Sequence, residues 1–150
     1  MKKTRILNGI IAATVLFIWG HSCMNGDLSG EESSRLFAVL APVLRKIFGE
    51  AATELFLRKI AHFTEYALLG AELSVRAAQG GTEGLRRDSL RDFSKRLLFC
   101  LLVCFLDETI QTFVPGRTGL IRDMWIDLAG AFTGSLLVTA LLSFWAKRKK

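Results

Sequence analysis

"DETIQTFVPGRTGLIRDMWIDLAG", residues Asp107 to Gly130, joins two strongly apolar stretches of the chain. The run "LLFCLLVCFL" (Leu97–Leu106) leads directly into the acid pair Asp107 and Glu108, and two further acids, Asp123 and Asp127, stand at the entry to "LAGAFTGSLLVTALLSFWA" (Leu128–Ala146). Carboxylates set against apolar segments are costly unless they are paired or line a polar, water-accessible space. Whether these acids share one interior therefore decides how the chain is to be read.

Working outward, the 150 residues suit a single domain, 1–150, with its motif-bearing part at about 55–146. A hydrophobic content of 51%, with 11 Phe and a mean hydropathy of +0.34, exceeds that of ordinary soluble domains and indicates a membrane protein. The net charge of +6 comes from 20 Lys and Arg against 14 Asp and Glu. Its basic clusters flank apolar runs, which speaks for membrane topology and against nucleic acid as a partner. Cys23, Cys100 and Cys104 form no metal-ligand or disulfide pattern. Neither a metal motif nor a cofactor is indicated.

A membrane-crossing helix needs about 20 mostly apolar residues, and four stretches reach that length: Ile6–Cys23, Glu54–Ala78, Arg96–Val114 and Asp123–Ala146. The first follows a basic start. It reads as a retained helix in preference to a cleaved signal peptide, because no small-residue cleavage pattern follows it. Between the first two, "SGEESSRLFAVLAPVLRKIF" (Ser29–Phe48) has the periodicity of an amphipathic helix lying on the outer membrane surface or packed on the outer ends of the bundle, with Pro42 expected to kink or interrupt it. "QGGTEGLRRDSLRDFSKR" (Gln79–Arg96) reads as a polar connector. The expected fold is all-α: a multi-pass cell-membrane bundle of four transmembrane helices plus an amphipathic extracytoplasmic helix. Lys2, Lys3, Arg5, Arg76, Arg86, Arg87, Arg91, Lys95, Arg96, Lys147, Arg148, Lys149 and Lys150 fall on one side if both termini are cytoplasmic, which sets that orientation.

The second, third and fourth stretches each carry a polar face. Lys59, His62, Tyr66 and Gly70 share one stripe, with Glu65 and Glu72 on its flank; Asp107 and Gln111 are one turn apart, as are Asp123 and Asp127. With a rise of 1.5 Å per residue, His62 lies about 8–12 Å inside its span, Asp107 and Glu108 about 9–11 Å below Val114, and Asp127 about 6–9 Å below the start of its helix. All converge on the outer third of the bilayer. A polar cluster open to the extracytoplasmic side follows, with Pro115-Gly116 as a turn above it, Asp123 as a helix cap, and Arg117 and Arg122 at its lip. There Arg117 is set to pair with Asp107, Glu108 or Asp127, or to hold an anion such as a phosphate. Gly130 and Gly134 form a small-xxx-small packing pattern.

"KIAHFTEYALLG" (Lys59–Gly70) followed by "LDETIQTFVPGRTGLIRDMWIDLAGAFTG" (Leu106–Gly134) resembles the VanZ family, whose core runs K-x-x-H-F-x-x-Y-x-x-L-G and then D-E-x-x-Q-x-F-x-P-x-R-x-G-x-x-x-D-x-x-x-D-x-x-G-x-x-x-G. The resemblance covers Lys59, His62, Phe63, Tyr66, Asp107, Glu108, Gln111, Arg117, Asp123, Asp127 and Gly130. The family takes its name from a protein linked to teicoplanin resistance. It therefore implies a setting in cell-envelope biology or glycopeptide resistance, without specifying a reaction.

Three functional readings follow. As an enzyme, the chain would use His62, Glu65, Asp107, Glu108 and Asp127 for acid/base work on a lipid-linked envelope phosphate or glycan, with Lys59, Tyr66, Gln111, Arg117 and Asp123 binding it. As a proton-coupled or lipid-headgroup binding or transport protein it would use the same groups; four spans are few for a transporter, so this reading calls for an oligomer. As pure structure, the acids and bases would be interhelical ion pairs. The partners in view are the bilayer and an anionic or lipid-linked ligand.

Overall fold

The computed structural model of the chain describes residues 2–80 and 90–148. Among these it forms five α-helices and no strand: α1 (Lys2–Ser22), α2 (Gly26–Phe48), α3 (Glu54–Ala77), α4 (Leu90–Thr112) and α5 (Ile121–Arg148), with short 3-10 turns at Gly49–Ala51 and Ala78–Gly80. The all-α expectation holds. Two helices, α1 and residues Ile121–Ala146 of α5, are long and apolar enough to cross a membrane. By the same measure α3 and α4 do not qualify, since their charged residues dilute the apolar content. Four spans are thus not established by helix composition.

The element boundaries follow local chemistry. Asn25 caps α2, its side-chain oxygen accepting from the Asp27 amide, and Thr53 caps α3 by accepting from the Phe56 amide. The polar connector ends earlier than expected, because α4 begins at Leu90 and not at Arg96; Arg86 and Arg87 lie outside the described residues. Pro42 does not interrupt α2, which runs through it to Phe48. Its ring sits on an exposed part of the helix, where the missing amide bond is tolerated more readily than in a packed interior.

Helices α3 and α5 make the most extensive contact in the fold. A Cβ built on Gly130 would run into the carbonyl of Phe63, one on Gly134 into the carbonyl of Ala67, and one on Gly70 into the carbonyl of Ala131. The two backbones therefore touch along a seam that only glycine permits. Two hydroxyls stitch the same seam: Ser135 Oγ donates to the Gly70 carbonyl (3.0 Å) and Ser74 Oγ to the Ser135 carbonyl (3.3 Å). Helix α1 belongs to this fold. Its Val15 and Ile18 are in the core with Tyr66, Leu69, Cys100, Val103, Cys104 and Ala131, and the Trp19 indole donates to the Val103 carbonyl at 3.3 Å.

The distribution of polarity is inverted relative to a water-soluble bundle. Asp107, Asp127, Glu108, Gln111, Arg96, Ser74 and Ser135 are buried, whereas Leu16, Phe17, Leu102, Phe105, Leu137, Leu141, Phe144 and Trp145 are exposed. Along α2 the apolar residues Leu36, Val39, Val43 and Ile47 form an exposed stripe, with Val39 at 75%. So much outward apolar surface suits lipid and not water.

The glycine seam yields a direct prediction. Gly134→Val should lower the stability of the full chain in detergent by about 3 kcal/mol or more, because the neighbour in its way is backbone and cannot rotate aside. Leu137→Ala, on the exposed face, should leave the thermal midpoint nearly unchanged; comparison of the two melting curves checks the assignment.

Candidate functional site

The seam sets His62 of α3 against Asp127 of α5, with His62 Nδ1 3.4 Å from Asp127 Oδ1. One turn before the end of α4, Asp107 and Glu108 complete the group: one ligand-type atom from each of His62, Asp107, Glu108 and Asp127 lies within 4.8 Å of every other. Asp107 and Asp127 are fully buried and Glu108 nearly so. Their convergence, expected from helix depth, is thus present in the fold.

The hydrogen bonding of these groups is incomplete. Glu108 Oε2 accepts from the Leu120 amide at 2.6 Å, and Asp107 Oδ2 accepts from Gln111 Nε2 at 3.4 Å. Asp107 Oδ1, Glu108 Oε1, both carboxylate oxygens of Asp127, His62 Nδ1 and the Tyr66 hydroxyl are buried without a hydrogen-bond partner. Burial of unsatisfied carboxylates is a cost the fold has to offset elsewhere.

The remaining predicted residues surround this centre in specific ways. Lys59 Nζ lies 3.3 Å from Asp123 Oδ1. Asp123 therefore does not cap α5, as expected from its position, but sits within the first turn. The helix starts at Ile121 because the Leu120 carbonyl accepts from the Asp123 and Met124 amides while Glu108 holds the Leu120 amide. Glu65 turns away from the acid group toward His21, with its Oε1 3.8 Å from His21 Nδ1. Gln111 bridges to α1 through Ser22 Oγ at 3.1 Å.

Arg117 differs most from expectation. It is buried and not at the lip, and Nη2 donates to Ser29 Oγ at 2.6 Å, while Arg122 is exposed. Among the described residues it makes no ion pair with Asp107, Glu108 or Asp127; Nε and Nη1 are buried without partners. Burial, and after it the charge of Arg58, lowers its proton affinity below the usual guanidinium value, although an arginine so placed still carries its charge at neutral pH. The turn that positions it is built on Gly116, at φ 75°, packed against Gly26, whose amide donates to the Pro115 carbonyl at 3.0 Å. The α2 N-terminus thus pulls Arg117 inward, a contact between distant segments that has no sequence signature.

Two cavities meet here. A polar one of about 140 Å³ is lined by Arg58, Lys59, His62, Gln111, Arg117 and Asp123 among others. A largely apolar one of about 450 Å³ is lined by Phe17, Met24, Leu36, Leu57, His21, Glu65 and others. Arg58, His62 and Arg117 line both. The sequence reading overlooked Arg58 as a site residue, along with His21, Ser22 and Ser29; Arg58 stands beside Lys59 at a helix edge, where snorkelling is its ordinary role.

A family model described as VanZ/LLP1 matches residues 9–143 of the chain. No curated protein and no solved structure matches it.

The unsatisfied acids make the site testable as a source of instability. Asp107→Asn retains the shape of the side chain and supplies an amide donor to the carboxylates nearby. In detergent containing EDTA its thermal stability should equal or exceed that of the native chain, by up to about 2 kcal/mol. A structural ion-pair role for Asp107 predicts instead a marked fall in the melting temperature.

Proposed function

The chain belongs to the VanZ/LLP1 family, and on that basis we propose that it is a multi-pass protein of the cell membrane whose outward-facing site takes a lipid-linked anionic ligand of the envelope and subjects it to acid/base chemistry. The observation that carries this reading is the junction of the two cavities at Arg58, His62 and Arg117. An amphiphile has a charged end and an apolar end, and each cavity suits one of them. The phosphate or other anion sits in the polar cavity, where the free Nε and Nη1 of Arg117 offer charge-assisted hydrogen bonds. The chain of the lipid runs along Phe17, Leu36 and Leu57 in the larger cavity.

Among the described residues His62 lines both cavities and also lies against the buried Asp127, so a proton moving between ligand and protein passes through it. Asp127, 3.4 Å away, orients the imidazole and stabilises its charged form. Asp107 and Glu108 stand behind as further proton acceptors. Lys59, held by Asp123, supplies positive charge at the mouth of the polar cavity.

In this arrangement α1, α3, α4 and α5 cross the bilayer, both termini face the cytoplasm and α2 lies on the outer surface. The outward apolar residues of all four helices and the exposed stripe of α2 support that placement. A contribution to glycopeptide resistance follows from the same site if its ligand is a lipid intermediate of the wall.

The ligand class is tested with the full chain in lipid nanodiscs, titrated with a long-chain isoprenyl phosphate and with the uncharged isoprenol of equal length. The phosphate should bind at least about tenfold more tightly, a preference worth about 1.4 kcal/mol, and Arg117→Gln should abolish the difference. Equal binding of phosphate and alcohol by the native chain sinks the reading.

A further inference from the structure

The four groups at the centre of the fold have a geometry that acid/base chemistry alone does not require. We infer that His62, Asp107, Glu108 and Asp127 form a binding site for one divalent transition-metal cation, of the Mn²⁺, Fe²⁺ or Zn²⁺ type, independent of which ligand the neighbouring cavities take.

The first ground is geometric. One candidate ligand atom from each of the four residues lies within 4.8 Å of all the others. Atoms bound to a single ion at about 2.1 Å stand no more than about 4.2 Å apart, so a small inward movement of the side chains completes the set. The second is the state of the atoms themselves. Asp127 is fully buried, and apart from the 3.4 Å contact of Oδ1 with His62 Nδ1 its carboxylate oxygens have no hydrogen-bond partner; Asp107 Oδ1 and Glu108 Oε1 have none either. The other oxygens of Asp107 and Glu108 are occupied by Gln111 and by the Leu120 amide. That division is the one a metal site requires: one oxygen is held by a neighbouring group, which aims the other at the ion.

Charge gives a third reason. Ionised together in a buried space, the carboxylates of Asp107, Glu108 and Asp127 would repel one another strongly, and among the described residues Arg117 makes no ion pair with any of them. A divalent ion offsets most of that charge, with the imidazole bound in its neutral form, so His62 relays protons only when the site is metal-free. The donor set decides the class of ion. Three carboxylates favour hard cations, and the single imidazole shifts preference from Mg²⁺ and Ca²⁺ toward Mn²⁺, Fe²⁺ and Zn²⁺. No linear metal motif announces the site because its ligands come from three helices, α3, α4 and α5.

The experiment uses the tag-free full chain in nanodiscs of neutral lipid, with Mn²⁺ alone as probe and electron paramagnetic resonance as readout. The native chain should bind one Mn²⁺ saturably, and the bound ion should show nitrogen modulation from one directly coordinated imidazole. His62→Gln should remove that modulation, and Asp107→Asn and Glu108→Gln should each weaken binding at least tenfold. Mn²⁺ should also raise the melting temperature of the native chain and not that of the Asp107→Asn, Glu108→Gln double variant. If the native chain binds no Mn²⁺ saturably, or binds it without nitrogen coordination, the proposal is overturned; both readings come from the native chain and stand even if a variant fails to fold. Undiminished binding by a folded double variant overturns it equally. Since no isoprenyl phosphate is present, its failure to bind in the separate titration leaves this result unaffected.

Discussion

Backbone contact between α3 and α5 is the constraint on which the site depends. Gly130, Gly134 and Gly70 remove the side chains that would hold the helices apart, and carbonyl groups of the opposite helix occupy the space. The same seam carries Ser135 and Ser74, whose hydroxyls donate to carbonyls across it. Such close approach fixes the rotation of one helix relative to the other. His62 lies one residue from Phe63, whose carbonyl meets Gly130, and Asp127 is three residues before Gly130. Pairing of imidazole and carboxylate at 3.4 Å is thus a consequence of how the backbones pack.

Around this seam the fold places its polar groups inward and its apolar groups outward. In water that arrangement would be unstable, since exposed Leu, Phe and Trp lose the benefit of burial while the acids pay for desolvation. In a bilayer the outward residues meet a solvent as apolar as themselves, and packing and interhelical polar contacts hold the helices together. The interior then has room for groups that stability does not demand. Partner-free oxygens on Asp107, Glu108 and Asp127 are an example. Apart from the His62–Asp127 contact at 3.4 Å these acids lack ion-pair partners among the described residues, whereas Lys59 and Asp123 pair nearby at 3.3 Å.

Periodicity and hydropathy disclosed much of the architecture. Helix α3 starts at the expected Glu54, and α1, α4 and α5 begin before their apolar stretches, because residues such as Lys2, Arg91 and Arg122 extend helices beyond apolar limits. Convergence of His62, Asp107, Glu108 and Asp127 was legible because helical rise relates sequence position to depth. Arg117, Asp123 and Glu65 were not legible in the same way. Each has several partners within reach of a flexible side chain, and the choice depends on segments far away in sequence: Ser29 of α2, Lys59 of α3 and His21 of α1.

What the sequence by itself determined is the set of helices, their polar faces and the family resemblance carried by two spaced blocks, since these depend on neighbours along the chain and on fixed helical geometry. Only the tertiary structure decided that Arg117 is drawn inside by α2, that Arg58 and His62 stand where two cavities join, and that four ligand-type atoms gather within 4.8 Å. The physical reason is one of range. A helix reports its own period locally, whereas cavities and clusters arise from the rotation and separation of helices, and those are set by side-chain absence at glycines and by contacts between residues up to 89 positions apart.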